Sequence, residues 1–372
     1  MSRYVLPVYV VVCLVGLAWY AAVRPYHNWD MIPYVGATRA LSGIEPGVLH
    51  KNVYKDLRLA VSLETFGALT EGPHRGVVYE NSEAFRQQLP FYQPRVLYIA
   101  TVYLLALVGV DVFAATHIVS AIAVAGGLLL LLAAFRSRIR SGLLFLVPPF
   151  AALLGLLDTA KYSTPDGLAF LVMSLAVYLF LRGHRTLFAV LPLCVLVRTD
   201  LILFVVVVTM YFWLSQQSRV LALIGLAASA ILAVGLSASY SYYEPAAVYY
   251  NTFVGALTYP AEFTGSYRLS DHLGALETGV LKTLSDRAFL IFVAMSTTLA
   301  AISYRSRRLR DVPRLRFLVG SSLLFVVIHF VLFPEIEARF FVLQYMLVLL
   351  VLLSVLSDRS GDGHGGDAVD LS

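Results

Sequence analysis

A carboxylate stands almost alone where the first apolar run ends. In "RPYHNWDMIPYVGATRALSG" (24–43), Asp30 follows His27 and Trp29 and precedes a small-residue stretch that closes at Gly43. Set at the edge of an apolar run, such an acid has the chemistry of a general base, where a lipid-borne and a water-borne reactant could meet. It has equally the chemistry of a solvated loop acid or a helix N-cap, for which Asp is a preferred residue. Further ionisable groups occupy similar edges. "LLDTAKYSTPDGLAFL" (156–171) carries Asp158, Lys161 and Asp166. Asp166 follows Pro165 and opens a predicted helix, where a negative charge suits the positive end of the dipole. Asp158 and Lys161 either pair with each other or face the same cavity as Asp30, to orient a substrate or hold a divalent cation. "CVLVRTDLILF" (194–204) sets Arg198 and Asp200 between two apolar runs with almost no loop. A guanidinium there is an internal partner for Asp200 or a fork for phosphate oxygens. "VLFPEIEARFFVLQYMLVLL" (331–350) brings Glu335, Glu337 and Arg339 to the start of the last apolar run, with His329 just before it. "FYQPRVLYI" (91–99) adds Arg95 at another such edge.

These groups matter because of what surrounds them. The 372 residues are 59% hydrophobic and only 14% charged, against about 25% charged in an ordinary soluble domain. The mean hydropathy is +0.77. The composition is that of an integral membrane protein, and an ionisable residue inside or at the edge of a membrane bundle is costly and therefore a functional hypothesis. Apolar segments fall at 4–23, 95–110, 113–134, 142–157, 165–181, 187–198, 201–214, 220–239, 288–304, 317–333 and 340–357. Backbone in lipid must satisfy its own hydrogen bonds, so these are helices, and the short ones imply a packed bundle with kinks and half-helices. The first run lacks a small-x-small cleavage site and many runs follow it, so it reads as a retained helix. Cys13 and Cys194 both lie in apolar runs and read as packing residues. No P-loop, glycine fingerprint, HExxH or Cys/His cluster is present. The net charge of +5 belongs to loops and does not suggest a nucleic-acid partner.

Loop charge sets the expected orientation. "RSRIR" (136–140), "RGHR" (182–185), "SQQSR" (215–219) and the arginine-dense "RSRRLRDVPRLR" (305–316) are assigned to the cytoplasm. The stretches 24–94, 158–164, 198–200, 240–287 and 334–339 then face outward. The signs agree only if 95–110 does not cross, which makes it a re-entrant or juxtamembrane helix on the outer side and leaves ten crossings. The expected organisation is one domain, 1–357, with outer loops 24–94 and 240–287, and a disordered cytoplasmic tail from 358 to 372. "YKDLRLAVSLETFGAL" in the first outer loop is amphipathic and suited to a membrane surface. The tyrosines of "SYSYYEPAAVYYNTF" in the second suit an interface.

The arrangement resembles the GT-C superfamily, multi-spanning glycosyltransferases that use polyprenyl-phosphate-linked sugars, and is closest in style to bacterial mannosyltransferase-like members. "WDMIPYVGATRALSG" is similar to the family's Asp after the first span. "FYQPRVLYI" is similar to its Tyr-x-Pro stretch, "TAKYSTPDGLAFL" to its second acidic motif, and "EARFFVLQYMLVLL" to its late Glu-x-Arg-aromatic motif. "LVRTDLILF" resembles the basic element that meets the donor phosphate, without the usual Pro. The resemblance implies an all-α polytopic bundle of about ten or eleven transmembrane helices with a long first outer loop carrying juxtamembrane helices. It implies an inverting transfer of sugar from a polyprenyl-phosphate donor to a hydroxyl of a glycolipid or glycan, at the periplasmic or extracellular face of the inner cell membrane. Asp30 would be the catalytic base. His27, Arg95, Asp158, Lys161, Asp166, Arg198, Glu337 and Arg339 would bind substrate. No cofactor is implied, and a role for Mg²⁺ or Mn²⁺ stays open. The competing readings are a lipid-linked sugar flippase, which calls for mid-depth charge and repeated broken helices, and a polysaccharide polymerase or ligase, which has no need of an acid straight after the first span.

Overall fold

The computed structural model describes residues 4–240, 243–306, 312–335 and 337–359. Residues 360–372, most of the expected disordered tail, and part of the arginine-dense stretch 305–316 lie outside the described residues. The described chain is all-α: among these residues there is no sheet, only one isolated bridge between Tyr26 and Tyr162.

Helix α1 (Val5–Val23) leads into a module of short helices: α2 (Met31–Ala40), α3 (Pro46–Ala60), α4 (Leu63–Thr70), α5 (Arg75–Glu80), α6 (Ser82–Gln88) and α7 (Val96–Leu107). The bundle continues through α8 (Val112–Phe135), a broken segment α9 (Ser141–Leu144), α10 (Val147–Leu153) and α11 (Leu156–Lys161), then α12 (Asp166–Arg182), α13 (Leu187–Val197), α14 (Ile202–Leu214) and α15 (Arg219–Tyr240). A second connecting segment carries α16 (Pro245–Phe253) and α17 (Leu269–Ser285), followed by α18 (Arg287–Ser306), α19 (Pro313–Leu332) and α20 (Ala338–Arg359). Among the described residues, six helices are long and apolar enough to cross a bilayer: α1, α8, α15, α18 through Tyr304, α19, and α20 through Ser357. The protein is therefore a multi-pass membrane protein.

The bundle has two chemically distinct ends. At one, Arg314 donates to the Leu181 carbonyl (3.2 Å), the Arg140 amide donates to the Ser357 hydroxyl (2.9 Å), and the Tyr9 hydroxyl reaches the Phe145 carbonyl (3.0 Å). Arg138 and Arg182 belong to this end too. At the other, the chain leaving α1 meets the end of α11, where the Tyr26 amide donates to the Lys161 carbonyl at 2.9 Å. Small residues hold the helices between these ends close, as expected where lipid offers no hydrophobic drive for association. A Cβ on Gly167 of α12 would lie 2.8 Å from the Ser120 backbone of α8, and one on Gly127 would lie 2.6 Å from the Phe170 ring.

Two sequence expectations change here. The run 142–157 is not one helix. Pro148 and Pro149 sit at the start of α10, and Gly155 adopts φ +86° with Ala338 pressed against its Cα, so the chain breaks twice. Asp158 and Lys161, expected in a loop, consequently lie on α11. In the amphipathic "YKDLRLAVSLETFGAL", Tyr54, Leu57, Phe66 and Leu69 are buried with Leu49, Val53, Val78 and Phe85 in a core of the module of short helices, while Leu59 and Leu63 stay exposed. Helix α7 has 12 residues, no fewer than α13, so its contacts and not its length place it. Near its start the Tyr98 hydroxyl donates to the Thr116 carbonyl of α8 at 3.1 Å. Near its end it turns straight into α8. Both ends of α7 therefore stay at the acidic end of the bundle.

Candidate functional site

The residues that sequence places at helix edges come from distant parts of the chain, and the fold gathers most of them at the end opposite Arg138, Arg182 and Arg314. Asp30 stands at the N-cap position of α2, yet its side chain makes no capping bond. Its carboxylate instead accepts from the Tyr92 hydroxyl (2.9 Å) and the Asn28 amide (3.1 Å). Burial, and next the neighbouring Asp30 charge, push the Tyr92 phenol well above its ordinary pKa, so Tyr92 remains a donor. The side chain of Asp30 is one third exposed. The capping hydrogen bond that an Asp at this position commonly makes is thus unrealised.

Asp166 opens α12 just after Pro165, as its position in the sequence predicts, and is buried. It accepts from the Thr164 hydroxyl (2.8 Å) and pairs with Arg198. Arg198 ends α13 in extended backbone, which frees its side chain to fork onto Asp200: Nε donates to Oδ1 at 3.1 Å and Nη2 to Oδ2 at 2.9 Å. His329 Nε2 lies 3.8 Å from the same Asp200 carboxylate, with its ring stacked on Phe325 at 5.7 Å. The alternative of an internal Arg198–Asp200 pair is thus realised, and Asp166 is joined to it.

Arg339, in the first turn of α20, links the two halves. It pairs with Glu337, and Nη1 lies 3.9 Å from Asp30 and 3.7 Å from Asp166. The latter two separations are electrostatic contacts, too long for N–H···O bonds. The Phe340 ring sits 4.7 Å from the Arg198 guanidinium and 4.9 Å from that of Arg339. Tyr162 lies 5.0 Å from Arg339. Such rings hold guanidiniums without consuming their N–H donors. Burial raises the Glu337 carboxyl above its ordinary value, although Arg339 pulls the other way.

The remaining sequence candidates sit at the margin. Lys161 lies 3.5 Å over the Tyr26 ring, whose hydroxyl donates to Asp158 at 3.2 Å, so Tyr26 intervenes where an Asp158–Lys161 pair was one of the expectations. His27 faces His117 edge-on, with ring centres 6.3 Å apart, and burial lowers its pKa. It touches Asp30 through no hydrogen bond. Arg95 turns back to donate to the Phe91 carbonyl and joins no ion pair among the described residues. In "FYQPRVLYI" the contact with Asp30 is made by Tyr92, three residues before the arginine that spacing singles out. Tyr92, Asn28, Thr164 and Phe340 carry no periodic or charge signal. Only the Tyr-x-Pro pattern bears on one of them. Among the described residues, no three His, Cys, Asp or Glu side chains are grouped to hold a metal ion. The chain matches no protein-family model, no curated protein and no solved structure.

Proposed function

We propose that this protein is an inverting glycosyltransferase that moves a sugar from a polyprenyl-phosphate donor to a hydroxyl of a glycan or glycolipid, at the non-cytoplasmic face of the cell membrane. The observation that carries the reading is the continuous run of charge Asp30–Arg339–Asp166–Arg198–Asp200, gathered from four parts of the chain at the end of the bundle opposite its basic loops. It agrees with the motifs that resemble the GT-C superfamily. On this reading ten segments traverse the bilayer, with α9–α11, α12, α13 and α14 completing the six long helices. The N-terminus is cytoplasmic and α7 is re-entrant.

The chemistry needs few parts. A phosphodiester-linked sugar already has a good leaving group, and a single displacement at the anomeric carbon forms the new C–O bond as the bond to phosphate oxygen breaks. The acceptor proton goes to Asp30, and the electron pair leaves on the phosphate, which Arg198 and Arg339 stabilise. Charge counting adds a constraint. Two guanidiniums face four carboxylates, so a phosphate can bind only by taking over a carboxylate's place. Glu337 is the one to yield: it is the most exposed of the Arg339 partners, and burial favours its neutral form.

The test is transfer from a panel of radiolabelled polyprenyl-phosphate sugars to membrane extracts, with the wild type and Asp30→Asn both purified and shown to be folded. Wild-type transfer with a loss of about 10²–10⁴-fold in the variant is expected. Equal rates would remove the base assignment. Donor translocation across vesicles without any transfer would turn the reading to a flippase.

A further inference from the structure

At the end of the bundle remote from Asp30, arginines from three separate segments converge. Arg138 follows α8 and donates from Nη1 to the Ala134 carbonyl at 3.3 Å. Arg182 lies in the last turn of α12, with its guanidinium 5.5 Å from the Tyr178 ring. Arg314, in the first turn of α19, donates to the Leu181 carbonyl at 3.2 Å and lies 5.9 Å from the Phe180 ring. The approach is close: a Cβ on Gly183, next to Arg182 in the chain, would stand 3.2 Å from the Arg314 guanidinium. Burial, and then the charges of Arg182 and Arg314, lower the Arg138 guanidinium below its ordinary pKa. Among the described residues, no carboxylate pairs with any of these arginines.

Helix capping and membrane insertion account for only part of this. Basic side chains suit the carbonyl ends of α8 and α12. Yet capping occupies a single N–H of Arg138, a single N–H of Arg314 and none of Arg182, and each guanidinium carries about five. Loop charge orients a protein wherever in the loop it falls, so insertion asks for no convergence. Like charges that repel one another and keep donors to spare are the makings of an anion site, in which phosphate oxygens offset the repulsion. Exposure agrees: Arg182 is exposed, and Arg138 and Arg314 are half-buried.

We propose that Arg138, Arg182 and Arg314 form a site for the phosphate of an anionic phospholipid, in the leaflet that adjoins this end of the bundle. The choice of a lipid follows from position. Helices α8 and α19 are long and apolar enough to cross a bilayer, so the arginines at their ends stand at headgroup level. Further along the same helices the exposed flanks are apolar, with Ile122 and Leu129 on α8 and Leu323 and Val327 on α19, and suit acyl chains. Basic pockets between membrane helices hold anionic headgroups in this way. A soluble phosphate would use the guanidiniums and leave those flanks unused. The site lies apart from the charge cluster at Asp30 and does not depend on sugar transfer.

The experiment uses the full-length protein in detergent. It is titrated with phosphatidylglycerol and with phosphatidylcholine of the same acyl chains, each labelled at a chain end and read by fluorescence anisotropy. Phosphatidylglycerol should bind saturably and at least roughly tenfold more tightly than phosphatidylcholine. Arg182→Gln, which breaks no hydrogen bond within the protein, should weaken phosphatidylglycerol about tenfold. Arg182→Lys, which keeps the charge and loses only the fork, should weaken it less. Arg136→Gln removes the same charge from an exposed position outside the cluster and should bind as wild type. Equal affinity for the two lipids, or equal losses in Arg136→Gln and Arg182→Gln, would overturn the site, the latter by reducing it to diffuse surface charge. Displacement of the labelled lipid by glycerol 3-phosphate at the lipid's own concentration would give the arginines to a soluble phosphate and overturn the lipid assignment.

Discussion

The carboxylate of Asp30 is held by donors on both oxygens, and this decides what its substitution tests. In Asp30→Asn the amide oxygen can still accept from Tyr92, but its NH₂ would face the Asn28 NH₂, costing about 1 kcal/mol of stability. The fold survives that cost and the base is lost, so the change separates chemistry from folding. Glu337 gives the complementary prediction. Its carboxyl is raised above the ordinary value by burial, so as pH falls it becomes neutral earlier than an exposed Glu and lets go of Arg339. The donor, a phosphodiester, keeps its charge over that range. Donor KM should therefore fall as pH is lowered through the Glu337 transition. In Glu337→Gln it should be low throughout and lose that pH dependence, while kcat stays within about threefold, because no proton moves through this residue. A donor KM that titrates identically in both proteins would refute displacement of Glu337. Sequence made the acids and arginines legible one by one, because charge at the edge of an apolar run is conspicuous. It could not show that Arg198 would serve Asp166 and Asp200 together, since nothing in the spacing from 166 to 200 fixes which helices become neighbours.

Helix boundaries show the same limit in another form. The long apolar runs at 4–23, 113–134, 220–239 and 317–333 appear as helices over nearly the same residues, because in lipid the backbone has no other solution. The amphipathic α3 was legible as a helix but not in its packing: an apolar stripe at Leu49, Val53 and Leu57 reads identically whether it meets lipid or the Phe66–Phe85 cluster. The break at Gly155 depends on Ala338, far along the chain, and no local pattern announces such a contact. Close approach of α8 and α12 makes a sharper prediction. Gly167→Ala sets a methyl 2.8 Å from backbone that cannot yield as a side chain would. The two helices must part, at a cost of about 1–3 kcal/mol, and Asp166 at the head of α12 shifts with them. Gly16→Ala in α1, where an added Cβ meets nothing within 4 Å, should leave the protein as stable or about 0.5–1 kcal/mol more so. Melting of the purified variants in detergent measures both. Equal melting temperatures would mean that the α8–α12 contact is looser than the backbone indicates.

At the scale of the whole molecule, charge is sorted by end. Arg138, Arg182 and Arg314 gather where α8 and α12 finish and α19 begins, and the carboxylate cluster occupies the other end. Positive loops are retained in the cytoplasm during insertion, so on the proposed reading the bundle stands with its acidic mouth outward. The conclusion hinges on α7, because one additional crossing between α1 and α8 would set their shared end on both sides of the membrane. Thiol accessibility decides it. In a background of Cys13→Ser and Cys194→Ala, single cysteines replace Glu80 in the module of short helices, Val108 at the end of α7, and Arg136 and Arg185 at the basic end. All four positions are exposed, Val108 at 77%. A membrane-impermeant maleimide applied to intact cells, or to spheroplasts where an outer membrane blocks access, should label Glu80→Cys and Val108→Cys. Arg136→Cys and Arg185→Cys should react only after lysis. Labelling that places Val108→Cys on the opposite side from Glu80→Cys would make α7 a true crossing. Labelling of Arg136→Cys and Arg185→Cys alone would turn the molecule over, and with it the side on which any lipid-linked donor has to be presented to Asp30.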